Sequence, residues 1–150
     1  MAAANLKFTK AYTSKLTRAQ QTLNLSLKGL DQSPPIVEDY RLNERHYGAL
    51  QGLDKQQTVD KFGKDQVMVW RRSYDIPPPP CDESSPEWPG NDPKYADVDK
   101  KLLPLSESLK TTAERFMPLW TDTIVPEIKS GEKLLIGEQQ HQSYQLWSRF

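Results

Sequence analysis

What this chain lacks bounds it first. It has one cysteine, Cys81, so no disulfide can close within it, and the thiol reads as incidental. No apolar run approaches the roughly 20 residues that span a bilayer. The start, Met1-Ala2-Ala3-Ala4, has neither the basic nor the apolar region of a secretory signal. Charge of either sign is not in excess: 20 basic and 20 acidic side chains give a formal charge of +0. That balance removes the basic footprint of a general nucleic-acid binder. Hydrophobic residues make up 36% and mean hydropathy is -0.76, both low for an α/β core. No metal-ligand spacing, phosphate-loop glycine pattern or Gly-x-Ser-x-Gly elbow is present. These absences lead to the expectation of a cytoplasmic protein with no metal, no nucleic-acid partner and no membrane partner. At 150 residues the chain is one domain or part of a larger one.

What is present reads as alternating strand and helix. Residues 6–12 suggest a short strand, and Thr13-Ser14 offers hydroxyls to cap a helix starting near Lys15. Leu16, Ala19, Leu23 and Leu27 recur at helical spacing, with Gly29 as the stop. Ile36-Val37 suggests a second strand. Asp54 is placed to cap a helix over 55–62 closed by Gly63, and Asp65 to cap the next, ending at Arg71-Arg72. Residues 76–104 form a long irregular excursion that opens with Pro77-Pro78-Pro79-Pro80, an extended segment. Ser106 then reads as the cap of a helix through Leu109, Ala113, Phe116 and Trp120, which Pro118 should end or kink. A further helix reaches Lys129 with Gly131 after it. Lys133-Leu134-Leu135-Ile136 suits a buried parallel strand. Beyond it, 137–150 is a polar, glutamine-rich tail expected to be disordered.

Residues 41–52 concentrate the chemistry. Arg41, Asn43, Glu44, Arg45, His46 and Tyr47 stand there with Gly48 and Gly52. Arginines bind phosphate or carboxylate through a planar fork of donors, and a carboxylate among them can carry protons. With Arg18, Arg71 and Arg72, these side chains point to a shared anion site. Taken singly, each arginine suits a solvated surface, and Glu44 suits a structural ion pair. His46 reads as a hydrogen-bonded structural residue.

The segments Tyr12-Thr13-Ser14-Lys15-Leu16-Thr17-Arg18-Ala19, Asn43-Glu44-Arg45-His46-Tyr47-Gly48 and Trp70-Arg71-Arg72-Ser73-Tyr74-Asp75-Ile76-Pro77-Pro78-Pro79 carry a resemblance, supported by Glu107-Ser108-Leu109-Lys110. Over about 6–136 the chain resembles the 2,3-bisphosphoglycerate-dependent phosphoglycerate mutases of the histidine phosphatase superfamily, of the fungal kind. The resemblance implies an α/β fold with a mostly parallel central sheet flanked by helices. It implies interconversion of 3- and 2-phosphoglycerate in glycolysis through a phosphohistidine, with 2,3-bisphosphoglycerate as cofactor, phosphoglycerates as small-molecule partners, and often homo-oligomers. By position it implies Glu44 as proton donor and acceptor, Arg18 against the transferred phosphoryl group, Arg45, Tyr47 and Lys55 against substrate, and Arg71 and Arg72 closing over its charge.

The departures from that pattern are equally specific. No Arg-His-Gly segment precedes the match, and Ile136 is followed by Gly137-Glu138-Gln139-Gln140 where the family has His-Gly-Asn. Neither His46 nor His141 falls at a catalytic histidine position, so a phosphatase reading is disfavoured too. The expected domain is therefore a partial mutase domain over 1–136, without the first strand and the C-terminal part, followed by an unrelated tail. A truncated or mis-spliced gene, inactive by itself, is the expected origin. The alternative is a non-catalytic protein that binds phosphometabolites or mutase subunits.

Overall fold

The computed structural model describes residues 6–137. Its described residues divide into two compact units, one formed by those up to 44 with those from 115 on and the other by 45–114. The tail expected over 137–150 starts a residue later than read, since Gly137 is the last residue of a strand and pairs with Thr13; residues 138–150 lie outside the described residues.

The first unit holds a three-stranded parallel sheet in the order β2-β1-β3. Strand β1 (Lys10–Thr13) pairs with β2 (Ile36–Glu38) on one side and β3 (Leu134–Gly137) on the other. Successive side chains of a strand face opposite sides, and the two faces are covered differently. Ala11 and Leu135 lie on one face with Leu23 and Leu27 of helix α1 (Thr17–Gly29). Tyr12, Leu134 and Ile136 lie on the other, with Leu42, Phe116, Leu119, Trp120 and Ile124. Burial on both faces explains why 134–136 reads as an unbroken apolar run rather than an alternating one.

Helix α1 starts two residues later than the hydroxyls suggest. Thr13 Oγ1 is spent on the Gly137 carbonyl at 2.9 Å, locking β1 to β3, and Leu16 stands at the N-cap with no side-chain cap. The helix ends at Gly29, yet the left-handed residue that closes it is Asp31, at φ 52°. The Asp31 and Gln32 amides donate to the Lys28 and Leu27 carbonyls, which satisfies the last turn.

Helix α4 (Leu109–Leu119) spans the boundary at 114/115. Ser108, not Ser106, caps it: the Thr111 amide donates to Ser108 Oγ at 3.2 Å, while Ser106 Oγ donates to the Pro78 carbonyl at 2.6 Å. The helix ends one residue past Pro118, at Leu119. The ladder widens into a π turn over Trp120–Ile124 before α5 (Val125–Lys129) resumes, with Gly131 following at φ 98°. A wider turn is one way a helix absorbs a missing donor and the proline ring.

Under the sheet, Glu127 ties α5 to β1. Its carboxylate takes an ion pair from Lys10 Nζ and a hydrogen bond from the Tyr12 hydroxyl at 2.8 Å. The Lys10 hydrogen bond, with help from Tyr12, holds the Glu127 carboxyl below the ordinary carboxylate range. Burial, and secondarily the hydrogen bond to Glu127, pushes the Tyr12 phenol up to about 12. Both shifts make stability depend on pH. The carboxylate's contribution is present above the unfolded-state carboxyl pKa and is lost as pH falls through the lower folded value. The phenol's contribution is present below the ordinary tyrosine pKa and is lost as pH rises toward about 12. Urea midpoints across pH should therefore fall at both ends. Glu127→Gln should flatten the acid limb and Tyr12→Phe the alkaline one; a Glu127→Gln acid limb as steep as wild type would contradict this.

The second unit is mostly helix and ordered loop. Helix α2 (Lys55–Phe62) opens with a reciprocal capping box, the Gln57 amide donating to Asp54 and the Asp54 amide to Gln57. Helix α3 (Lys64–Arg72) follows after Gly63, which is its N-cap; Asp65 sits in the first turn, where its charge suits the dipole without capping. Leu50, Val67 and Trp70 form the unit's apolar cluster, with Tyr47 and Phe62 packed against it. The 76–104 excursion is neither unstructured nor a linker. It buries Pro78, Cys81, Trp88, Tyr95 and Leu103 and forms single 3-10 turns at Pro89–Asn91, Pro93–Tyr95 and Lys100–Leu102. Burial pushes the Cys81 thiol up, in keeping with an unreactive side chain.

Candidate anion site

The residues singled out in the sequence divide between the two units. Arg18, exposed in the first turn of α1, and Glu44, half-buried just after the Tyr40–Leu42 turn, belong to the first. Arg45, Tyr47, Lys55, Arg71 and Arg72 belong to the second. Lys55 is the exposed first residue of α2, and Arg71-Arg72 ends α3, where cations offset the helix dipole.

Within the second unit Arg45 and Tyr47 are brought together. The Arg45 guanidinium lies over the Tyr47 ring, 4.8 Å from its centroid. Tyr47 in turn packs on the cluster containing Trp70, the chain neighbour of Arg71. Phe62 meets Trp70 edge-on at 5.3 Å, which fixes the end of α3 against α2.

Two of these arginines hold donors in an unusual state. Arg45 is only 7% exposed, yet its Nε and Nη2 are buried without a hydrogen-bond partner, and so is Arg71 Nε. Buried polar atoms are nearly always paired, and a buried charge without a partner costs several kcal/mol. Trp88 Nε1 is also unpaired, but it is one N–H of a neutral ring. Arg41 shows what the same guanidinium edge does when an oxyanion is at hand. Its Nε and Nη2 grip Asp39 at 2.9 and 2.6 Å. Arg41, counted in the cationic set from sequence, is therefore taken by a local carboxylate, while Arg45 presents the same fork empty. The two forks differ in what surrounds them, not in chemistry.

Three residues that sequence reasoning passed over or set aside support this framework. Arg115, in α4, donates to the carbonyls of Tyr40, Arg41 and Asn43 at 2.9, 2.8 and 3.0 Å. Asn43 Oδ1 accepts from the Lys15 amide at 3.0 Å. Together they fix the chain leading into Glu44 inside the first unit. Glu107, 3% exposed, accepts from the His46 amide and donates its own amide to the His46 carbonyl, both at 2.9 Å. All of these are long-range bonds, so no local pattern signals them.

The second unit thus holds a buried arginine with unpaired donors stacked on a tyrosine ring. The family model of the histidine phosphatase superfamily (branch 1) matches residues 1–113. The chain belongs to the histidine phosphatase superfamily. The small parallel sheet with flanking helices is consistent with part of that fold. For a histidine phosphatase superfamily protein the relevant chemistry is of the phosphatase or mutase type. The superfamily's reactive group is a histidine, yet His46 has both ring nitrogens engaged, with the Gly48 amide and the Glu87 carbonyl each at 3.1 Å. His141 lies outside the described residues. No helix among the described residues is long and apolar enough to cross a membrane, and no described group of His, Cys, Asp and Glu is arranged to hold a metal.

Proposed function

We propose that these 150 residues are a phosphoglycerate-binding portion of a 2,3-bisphosphoglycerate-dependent phosphoglycerate mutase. The observation that carries the reading is the buried, unpaired Nε and Nη2 of Arg45 together with the unpaired Arg71 Nε. A phosphate or carboxylate is the group whose paired oxygens fit such a fork. A phosphoglycerate offers both anions on three carbons. In this reading Arg45 and Arg71 grip the anionic groups, Tyr47 holds Arg45 in place through its ring face, and Lys55 and Arg72 add positive charge to the same unit. The resemblance to the mutases assigns the first unit's Glu44 the proton of the substrate hydroxyl and its Arg18 the transferred phosphoryl group. The polyanion 2,3-bisphosphoglycerate would fit the same donors, and when bound it supplies a transferable phosphoryl group.

Phosphoryl transfer through a covalent intermediate requires a nucleophile. The ring of His46 is fully committed to hydrogen bonds, and the sequence has no Arg-His-Gly segment. Binding without turnover is therefore the expected behaviour of these residues, and the orphaned donors equally favour a non-catalytic phosphometabolite-binding role for them.

Calorimetric titration of the purified chain with 3-phosphoglycerate should show saturable binding. Arg71→Ala should weaken it about 10-fold, the value of one hydrogen bond to a charged group. No conversion of 3- to 2-phosphoglycerate should accompany binding. Affinity unchanged by Arg71→Ala would overturn the assignment, and measurable turnover would overturn the claim of binding alone.

A further inference from the structure

His46 stands between the two residues that form the arginine–tyrosine stack, and all of its polar groups are spoken for. Its amide and carbonyl are both paired with Glu107 at 2.9 Å. Its Nδ1 lies 3.1 Å from the Gly48 amide, and its Nε2 lies 3.1 Å from the Glu87 carbonyl. The side chain is buried, at 8% exposed.

These partners determine the tautomer. A backbone amide can only donate, so Nδ1 must be the unprotonated acceptor. A carbonyl can only accept, so Nε2 must carry the hydrogen. The Nδ1 bond spans Tyr47: it joins residue 46 to the amide of residue 48, as an Asx turn does with a carboxamide oxygen. That turn sets the direction of Tyr47, and Tyr47 supports the Arg45 guanidinium. Glu107, from the other side, holds the backbone on which Arg45 and Tyr47 are mounted.

We infer that His46 is a positioning residue for anion binding: its Nδ1 lone pair fixes the 46–48 turn that holds Tyr47, and through it Arg45, ready for an oxyanion. The inference rests on the phosphoglycerate-binding reading. It assigns His46 neither phosphoryl transfer nor contact with the ligand. What the site takes from the ring is one acceptor at the δ position.

Two isosteric variants separate that acceptor from the rest of the ring. His46→Asn places an oxygen near the Nδ1 position and can still accept from the Gly48 amide. His46→Gln reaches the Nε2 position and keeps the Glu87 contact but loses the δ acceptor. With the full 150-residue chain and 3-phosphoglycerate as probe, His46→Asn should keep affinity within about 3-fold of wild type. His46→Gln should weaken it about 10-fold, the scale of one hydrogen bond, at a melting temperature no lower than that of His46→Asn. Ring nitrogen-15 spectra of wild type should show an unprotonated Nδ1 and a protonated Nε2. Equal affinities for the two variants, affinity that follows melting temperature alone, or the opposite tautomer would overturn the inference. Absence of 3-phosphoglycerate binding by wild type would instead remove the underlying site, and the inference with it. Binding by wild type that is untouched in His46→Gln would remove the inference alone.

Discussion

Gly48→Ala is expected to destabilise the second unit by about 3 kcal/mol, from two costs that add. The residue sits at φ +56°, where an L side chain costs about 1 kcal/mol or more. A Cβ there would also stand 2.1 Å from the Pro79 carbonyl oxygen and 2.8 Å from Ser106 Oγ. The first of these is backbone, part of the proline run, and cannot rotate aside; the Pro79 carbonyl already accepts from the Ala49 amide at 2.8 Å. Overpacking against a fixed atom adds roughly 1–3 kcal/mol. Gly63 supplies the control. Its φ of +81° with ψ 146° is a backbone conformation nearly reserved for glycine, but nothing lies within 4 Å of a Cβ, so Gly63→Ala should show a conformational cost of about 1–3 kcal/mol and no steric one. Hydrogen exchange at the Ala49 amide, read against urea unfolding of both variants, would measure the difference. Protection of the Ala49 amide kept as fully in Gly48→Ala as in Gly63→Ala would mean that the Pro79 contact is not what Gly48 is there to permit.

Arg45→Met is expected to abolish useful anion binding while leaving the fold as stable as wild type, or more so. The guanidinium is 7% exposed and two of its nitrogens have no partner, so the folded chain bears a desolvation cost that an apolar side chain of similar length would not. Loss of the contact with the Tyr47 ring offsets part of the gain, by about 0.5–2 kcal/mol. The expected change therefore lies between zero and about 2 kcal/mol in favour of the variant. Binding should move the other way. Two charged hydrogen bonds to one oxyanion are worth about 3 kcal/mol, so affinity for 3-phosphoglycerate should fall about 100-fold. Arg41→Met is the contrasting case. Its fork holds Asp39, so that substitution should lower stability by orphaning a carboxylate and should change binding little. An Arg45 variant that is markedly less stable than wild type would mean that the guanidinium is satisfied and that the fork is structural.

How much of this could be read from the sequence depended on how local each interaction was. Helix α2 was legible at both ends, because Asp54 and Gly63 act within one turn of them; Gln57, which completes the capping box, was not read. Strands β2 and β3 followed from short apolar runs. The errors occurred where a distant group claimed a local signal. Thr13 could not cap α1 because Gly137, 124 residues away, takes its hydroxyl. Ser106 could not cap α4 because Pro78 does the same. At Pro118 the expected end of the helix falls one residue on, at Leu119, but the widened turn that carries the chain into α5 is one that no propensity scale anticipates. The site behaved alike. The clustering of Arg45 and Tyr47 was visible in the motif. That Arg41 is consumed by Asp39 could be suspected from a carboxylate two residues earlier, but the vacancy of the Arg45 fork is a property of burial, which composition does not disclose. The roles of Arg115 and Glu107 rest on contacts 61 or more residues apart and left no local trace.

The central claim is that the Arg45 fork and Arg71 Nε are held open for an oxyanion. Its most direct test follows the guanidinium Nε–H resonances of the purified chain by NMR while 3-phosphoglycerate is added, with uncharged glycerol added in a parallel titration. The Arg45 and Arg71 signals should shift together and saturate with 3-phosphoglycerate, and stay in place with glycerol, while Arg41, already paired with Asp39, should move little. Signals of Arg45 and Arg71 that remain unmoved at millimolar 3-phosphoglycerate would contradict the account.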